Sequence, residues 1–204
     1  EAAAGETGMP VQRALTLLQA HQATAKLSAR DGFTSRDVII DADGSEHVRF
    51  DRHYAGLPVI GGDLVVHSRN GSLKAMSLGQ AREIRLSTVP GIDADQATIV
   101  AGSVFGTEFE GSPVRELVVY ARGKGAARLA WRIRLHNPRA DITYVVSADN
   151  GAMLDVWSNL ETAAAVGTGR TLYAGDVVLT TNKLASGYEL RDPARGNGYT
   201  LDGS

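Results

Sequence analysis

Residues 47–67 read "HVRFDRHYAGLPVIGGDLVVH". Three histidines, two arginines, two aspartates and a Gly-Gly pair sit inside a β-rich run, which could be an active site or scaffold. His47 and His53 share a strand face, but six residues at ~3.3 Å rise hold them roughly 20 Å apart. One zinc ion could not take both without a reversal of the strand. His53 and His67 could meet across a hairpin, so a metal site stays open, although surface or satisfied histidines are the simpler reading. The two remaining histidines, His21 and His136, form no His-x-x-x-His pair with these, and no H-E-x-x-H occurs. Around the Gly-Gly pair, Leu57, Pro58, Val59 and Ile60 form an apolar ledge. Gly61 and Gly62 permit a bulge or sharp bend, and Pro58 suits an edge or a strand start. From the residues alone, an ordinary twisted hairpin and a docking surface for another domain are both open.

Working outward, the hairpin signals multiply. Asp43-Gly44 and Asn70-Gly71 each separate two extended runs. Upstream, Val11, Ala14, Leu15, Leu18, Gln22 and Ala25 recur at helical spacing, and Pro10 suits a first turn, which predicts a helix over 10–29. The first 89 residues therefore read as one helix packed on an antiparallel sheet. Pro90-Gly91 is punctuation, and Asp93 with Gln96 makes a capping box for a second helix whose buried stripe is Ala97, Val100, Ala101 and Val104. Hairpins turning at Gly123-Lys124-Gly125 and Asn150-Gly151 follow. Residues 90–158 thus read as a second unit, one helix and then four strands.

The expected fold class is α+β: two small domains, 1–89 and 90–158, each a helix on an antiparallel sheet. A small-residue linker, 159–167, then leads into β-strands over 168–204 that open a further, truncated domain. Some forty residues of short strands and Gly-rich turns cannot bury a core alone.

Composition narrows the function. The chain has 204 residues, 43% hydrophobic, with a net charge of -2, so neither nucleic acid nor an anionic membrane is implied as a partner. No apolar run approaches the roughly 20 residues of a spanning helix. With no cysteine, disulfides, iron–sulfur ligation and thiolate zinc sites are excluded. The Ala-rich start, "EAAAGETGMP", is compatible with the mature end of an exported precursor. Asp51, Asp63, Glu46 and Glu83 are available carboxylates, yet nothing pairs them as acid and base. There is no Gly-x-Ser-x-Gly elbow and no phosphate loop. Gly167 to Arg170 lacks the third glycine and the helix of a dinucleotide site. Catalytic residues are expected to be absent from this chain.

Three stretches, in order, resemble one family. Arg49, Phe50, Arg52, Tyr54, Gly56, Pro58, Val59, Gly61, Leu64, Val66 and His67 match the signature of the fungalysin/thermolysin propeptide domain. "GIDADQATIVAG", "LVVYARGKGAARLAWRIRL" and "YVVSADNGAMLDVWSNL" resemble a PepSY domain, with Trp131 as its buried ring. "VGTGR" (166–170) and "LRDPARGNG" (190–198) resemble the first strands of a mature thermolysin-like (M4) zinc metalloendopeptidase.

The resemblance implies a secreted zymogen fragment whose first two domains chaperone and inhibit its own catalytic domain until cut. That domain would be the partner, covalent before processing, with non-covalent association afterwards left open. It implies a docking motif at Arg49, Phe50, Arg52, Tyr54, Gly56, Pro58, Val59, Gly61 and Gly62. The cleavage and cleft-blocking segment would be Ser158, Asn159, Leu160, Glu161, Ala165 and Val166, with the cut at Asn159–Leu160 and Ala165–Val166 second. No cofactor is implied for this chain; zinc and calcium would belong to the missing catalytic domain. The alternative is a free-standing inhibitor of the same two-domain type.

Overall fold

The computed structural model describes residues 3–106, 108–123 and 125–159, and beyond them the backbone of the strands named below. The chain forms two compact units, Glu1–Ser158 and Asn159–Ser204.

In the first unit, helix α1 (Ala3–Ala20) precedes strands β1 (Asp31–Ile40), β2 (Ser45–Tyr54), β3 (Leu57–Ile60), β4 (Leu64–Arg69) and β5 (Ser72–Leu78). Helix α2 (Ala94–Phe105) precedes β6 (Val114–Tyr120), β7 (Arg128–Asn137), β8 (Ala140–Ser147) and β9 (Met153–Ser158). Asp43-Gly44, Asn70-Gly71 and Asn150-Gly151 all fall between paired strands, with Gly44, Gly71 and Gly151 at positive φ. The capping box forms as expected: Asp93 accepts from the Gln96 N–H, and the Gln96 side chain accepts from the Asp93 N–H.

Helix α1 departs from the expected 10–29. It opens earlier, at Ala3, and carries Pro10 inside rather than in its first turn. It stops at Ala20, and residues 21–26 continue as turns ending on Lys26 at φ 54°. The apolar spacing past Ala20 is real, since Ala25 is fully buried, but a turn delivers it. On α2, Ala97 and Ala101 are buried, whereas Val104 is largely exposed.

Strand order runs β5-β4-β2-β3-β6-β7-β8-β9, with β1 on the other edge of β2. The two helix-and-strand halves therefore share one sheet. All its pairs are antiparallel except β3–β6, where Val59 and Ile60 lie beside Val119 and Tyr120. Each half has a core under its own helix. Ala14 and Leu18 pack on Val48, Phe50, Leu64 and Val66; Ala97 and Ala101 pack on Ile133, Leu135, Tyr144 and Val146. A third cluster, Tyr54, Val59, Ile84, Val119 and Ala121, spans the seam between the halves.

Both helices lie on one side of this sheet. Val48, Phe50, Arg52 and Tyr54 alternate on the α1 face of β2, and Leu57 stands opposite Tyr54. Val59 shares that face by alternation and pairs with Val119; two residues back, Leu117 stands opposite Trp131, which packs in the α2 core. Among the described residues, no helix lies on the other side of the sheet.

In the second unit, β10 (Ala164–Thr171), β11 (Gly175–Leu184) and β12 (Gly187–Glu189) form one antiparallel sheet, and β13 (Arg191–Asp192) pairs with β14 (Gly198–Tyr199). Strand β10 begins at Ala164, inside the stretch expected to be linker through 167.

Candidate docking face at the sheet junction

The opening 21-residue stretch makes the junction. Its hairpin, closing at Ala55 (φ 50°) and Gly56 (φ 84°), pairs His53 with Pro58 but Phe50 with Leu64. Five residues, 59 to 63, therefore stand opposite two, 51 and 52. This excursion swings Val59 and Ile60 off β2 and onto β6, and the N–H of Ala121 closes the contact on the Ile60 carbonyl at 2.8 Å. The ledge is occupied, and its occupant is the other half of the same chain.

Both glycines are required by this path. Gly61 has φ 79°, and a Cβ there would stand 2.7 Å from Cγ and 3.0 Å from Cα of Arg122. A Cβ on Gly62 would stand 2.4 Å from Cγ1 of Val59. Beneath the excursion, Gly79 donates to the Asp63 carbonyl at 2.8 Å, and the buried Gln80 side chain donates to the Ala121 carbonyl at 3.3 Å.

Arg52 is buried on the helix side. Its Nε donates to Asp31 Oδ1 at 2.6 Å, and both side chains are 1% exposed. Asp31 Oδ2 accepts from the Ser28 N–H at 2.7 Å and the Ser28 hydroxyl at 2.9 Å, so the ion pair is well satisfied. Tyr54 is buried under Arg30, whose guanidinium lies 4.7 Å from the ring centre. Phe50 is core, edge-on to Phe33 at 6.2 Å. Of the residues expected to form a docking motif, Phe50, Arg52, Tyr54, Val59 and Gly62 are thus buried inside the chain, while Arg49 is exposed on the helix-free side.

That side runs unbroken across both halves. By alternation it carries His47, Arg49, Asp51 and His53 on β2, then Ile60, Tyr120, Arg132 and Trp157. In the second half it buries Val118, Ala130 and Val145 fully, with Ile60, Tyr120, Leu154 and Trp157 packed against them. Asp155 binds that layer together: it accepts from the Tyr120 hydroxyl at 3.1 Å and from Arg122 at 3.2 Å, and the Arg122 guanidinium lies 4.9 Å from the Trp157 ring centre. Burial, then the adjacent Asp155 carboxylate, pushes the Tyr120 phenol above its ordinary range. Ion pairs Arg36–Asp51, Arg132–Glu116 and Arg134–Asp141 line the same face. Where the halves diverge lies a groove of about 650 Å³, lined among others by His53, Pro58, Ile60, Arg122 and Arg132.

The structure brings together a histidine pair that sequence spacing had assigned differently. His67 stands opposite His47, six residues along β2 from His53; without the three extra residues of the excursion it would stand opposite position 44. Among the described residues, no three of His, Asp and Glu gather to hold a metal ion. Trp131, expected to be buried, is half-buried, with its indole N–H donating to the Ile92 carbonyl at 2.9 Å. In the expected cleavage segment, Ser158 ends β9 and Asn159 follows, while Leu160 and Glu161 lie outside the described residues. Ala165 and Val166 stand in β10, opposite Thr181 and Thr180.

Residues 31–78, the whole of β1 to β5, match the family model for the Fungalysin/Thermolysin Propeptide Motif. This chain carries a thermolysin-type propeptide motif. The likeness to thermolysin-like metalloproteases extends beyond the motif. The chain is 30% identical to the transglutaminase-activating metalloprotease of Streptomyces mobaraensis over 95% of its own length and 27% of the relative's. It is 28% identical to a thermolysin of Alicyclobacillus acidocaldarius subsp. acidocaldarius over 80% of its length and 35% of the relative's. It is 29% identical to the hemagglutinin/proteinase of Vibrio cholerae over 74% of its length and 27% of the relative's. The chain thus spans about a quarter to a third of the relatives it matches, and the propeptide motif lies wholly within the first compact unit. No helix among the described residues is long and apolar enough to cross a membrane.

Proposed function

We propose that residues 1–158 are the propeptide of a secreted thermolysin-like zinc metalloprotease and that the residues after them open its mature domain. The propeptide assists folding of the catalytic domain and holds its cleft shut until it is cut. The observation that carries this reading is the motif match on β1–β5, on a chain homologous along most of its length to such proteases. The second half, with α2 and β6–β9, is the PepSY-type partner of the motif. A high unfolding barrier protects a secreted protease from its own kind. The same barrier slows folding unless a removable segment stabilises the transition state.

The catalytic domain docks on the helix-free face. Its layer of Ile60, Tyr120, Leu154 and Trp157 supplies apolar area, and the groove beside Arg122 and Arg132 supplies charge-bearing walls. Zinc and calcium would belong to the catalytic portion, and no step of this role runs through them in residues 1–158.

A free-standing inhibitor is the second reading, favoured by the compactness of Glu1–Ser158 as a unit. Expression of the complete reading frame with and without codons 1–158 separates the two. The propeptide reading expects active protease only when those codons are present; equal activity without them contradicts it.

A further inference from the structure

On the helix-free face, Nδ1 of His47 lies 2.6 Å from Nδ1 of His67, directly across the β2–β4 pair. The outer nitrogens are also engaged. His47 Nε2 lies 2.9 Å from Asp41 Oδ2, and His67 Nε2 lies 3.0 Å from the Ser77 hydroxyl. The chain Asp41–His47–His67–Ser77 therefore ties the β1–β2 turn, β2, β4 and β5 together through side chains.

Proton counting gives this chain a direction. With both rings neutral, His47 donates from Nε2 to the carboxylate and accepts at Nδ1 from His67, whose Nε2 accepts from Ser77. One added proton is also accommodated: His47 becomes a cation beside Asp41, His67 accepts at Nδ1, and its Nε2 donates to the Ser77 oxygen. A second proton is not, because two N–H groups would then point at each other across 2.6 Å.

We propose that this pair is an acid-sensitive clasp: it closes β2 on β4 while it holds no proton or one, and opens when a second is taken. The other charged or titratable groups this side carries on β1, β2, β4 and β5 include Asp37 across from Arg49, the Arg36–Asp51 and Asp43–Arg69 ion pairs, His53 at the far end of β2, and Lys74 at the β4–β5 bulge. The first helix lies on the opposite face, so its charges do not enter. Burial, then the charge of His47, holds the His67 imidazole below its ordinary value. An imidazole that resists protonation when folded contributes stability that is complete above the unfolded value of about 6.5. That contribution drains away as pH falls through this value toward the lower folded one. If the propeptide reading holds, acidification loosens the face that carries the catalytic domain; the clasp itself does not depend on that reading.

The test uses the 204-residue chain as it stands. Long-range ¹H–¹⁵N spectra at pH 8 should place the His47 proton on Nε2 and the His67 proton on Nδ1. On titration the second proton should enter at least about one pH unit below the first, roughly tenfold harder, and should move the Val48 and Val66 amides. Two independent titrations near the ordinary value would overturn the clasp. In urea denaturation, wild type should lose at least about threefold in its folding constant between pH 7.5 and 5.5, a fraction of the roughly tenfold that one pKa unit represents, with H67Q losing clearly less. Equal losses in both proteins would overturn it as well. Neither readout involves protease, so failure of the propeptide reading leaves both unchanged.

Discussion

The Arg52 guanidinium donates to the Asp31 carboxylate at 2.6 Å with both side chains shut away from solvent, and Arg52 also reaches the Lys26 carbonyl at 3.5 Å. This contact fastens β2 to the start of β1 beside the turn that ends α1. Removing one member leaves a buried charge without its counter-ion. R52M should therefore cost about 3 to 5 kcal/mol, whereas R52M with D31L should recover part of that loss. Denaturant midpoints of the two variants and wild type provide the check. A loss below about 1 kcal/mol for R52M would show the pair to be dispensable.

Glycines at the turns and bends of this sheet should divide by what surrounds them. A Cβ at Gly44 meets nothing within 4 Å, so G44A should cost about 1 kcal/mol for its backbone angle alone. G62V forces a side chain into Val59 and should cost at least about 3 kcal/mol while detaching Val59 from β6. In the full precursor, G61V and G62V should also lower the yield of active protease. Normal yield from either would separate the bend from the chaperone role.

Trp131 bonds the Ile92 carbonyl as well as packing on the α2 core. W131A should cost about 3 kcal/mol, and W131F, which keeps most of the packing but loses the donor, about 1 kcal/mol. Thermal or urea unfolding measures both. Similar losses for the two would assign the ring's whole contribution to its hydrogen bond.

Processing is expected at Asn159–Leu160, since Leu160 is the one bulky apolar residue between Trp157 and Val166. N-terminal sequencing of autoprocessed, full-length precursor identifies the bond. A mature first residue outside 158 to 167 would refute the assignment. Ala165–Val166, the second choice, lies in a paired strand, and its cleavage would require β10 to open first.

Much of this was legible in the residues, and the exceptions have physical causes. Turn glycines, the capping box at Asp93 and Gln96, and the order helix–strands–helix–strands are local properties, and each stands where its spacing put it. The excursion at 59–63 was visible only as permission, because Gly61-Gly62 allows a bend without stating its length. Its length sets the register, and the register decides that His67 meets His47 rather than position 44. The seam is non-local for the same reason: nothing in Val59-Ile60 names Val119-Tyr120 as its partner. Asp31 gave no signal either, because its pairing with Arg52 depends on where the turn after α1 ends. Of the nine residues expected to form a docking motif, Phe50, Arg52, Tyr54, Val59 and Gly62 are buried inside this chain, and Arg49 is exposed on the other side of the same strands.

The most direct test of the account is inhibition of the mature protease, taken from the full reading frame, by the separate 204-residue chain. Wild-type chain should inhibit peptide hydrolysis. I60D, which places a charge in the apolar layer of the helix-free face, should raise the concentration needed at least about tenfold while circular dichroism shows it folded. Inhibition equal to wild type by folded I60D would remove that face from the mechanism. No inhibition by the wild-type chain, or casein degradation by that chain alone, would contradict the propeptide reading.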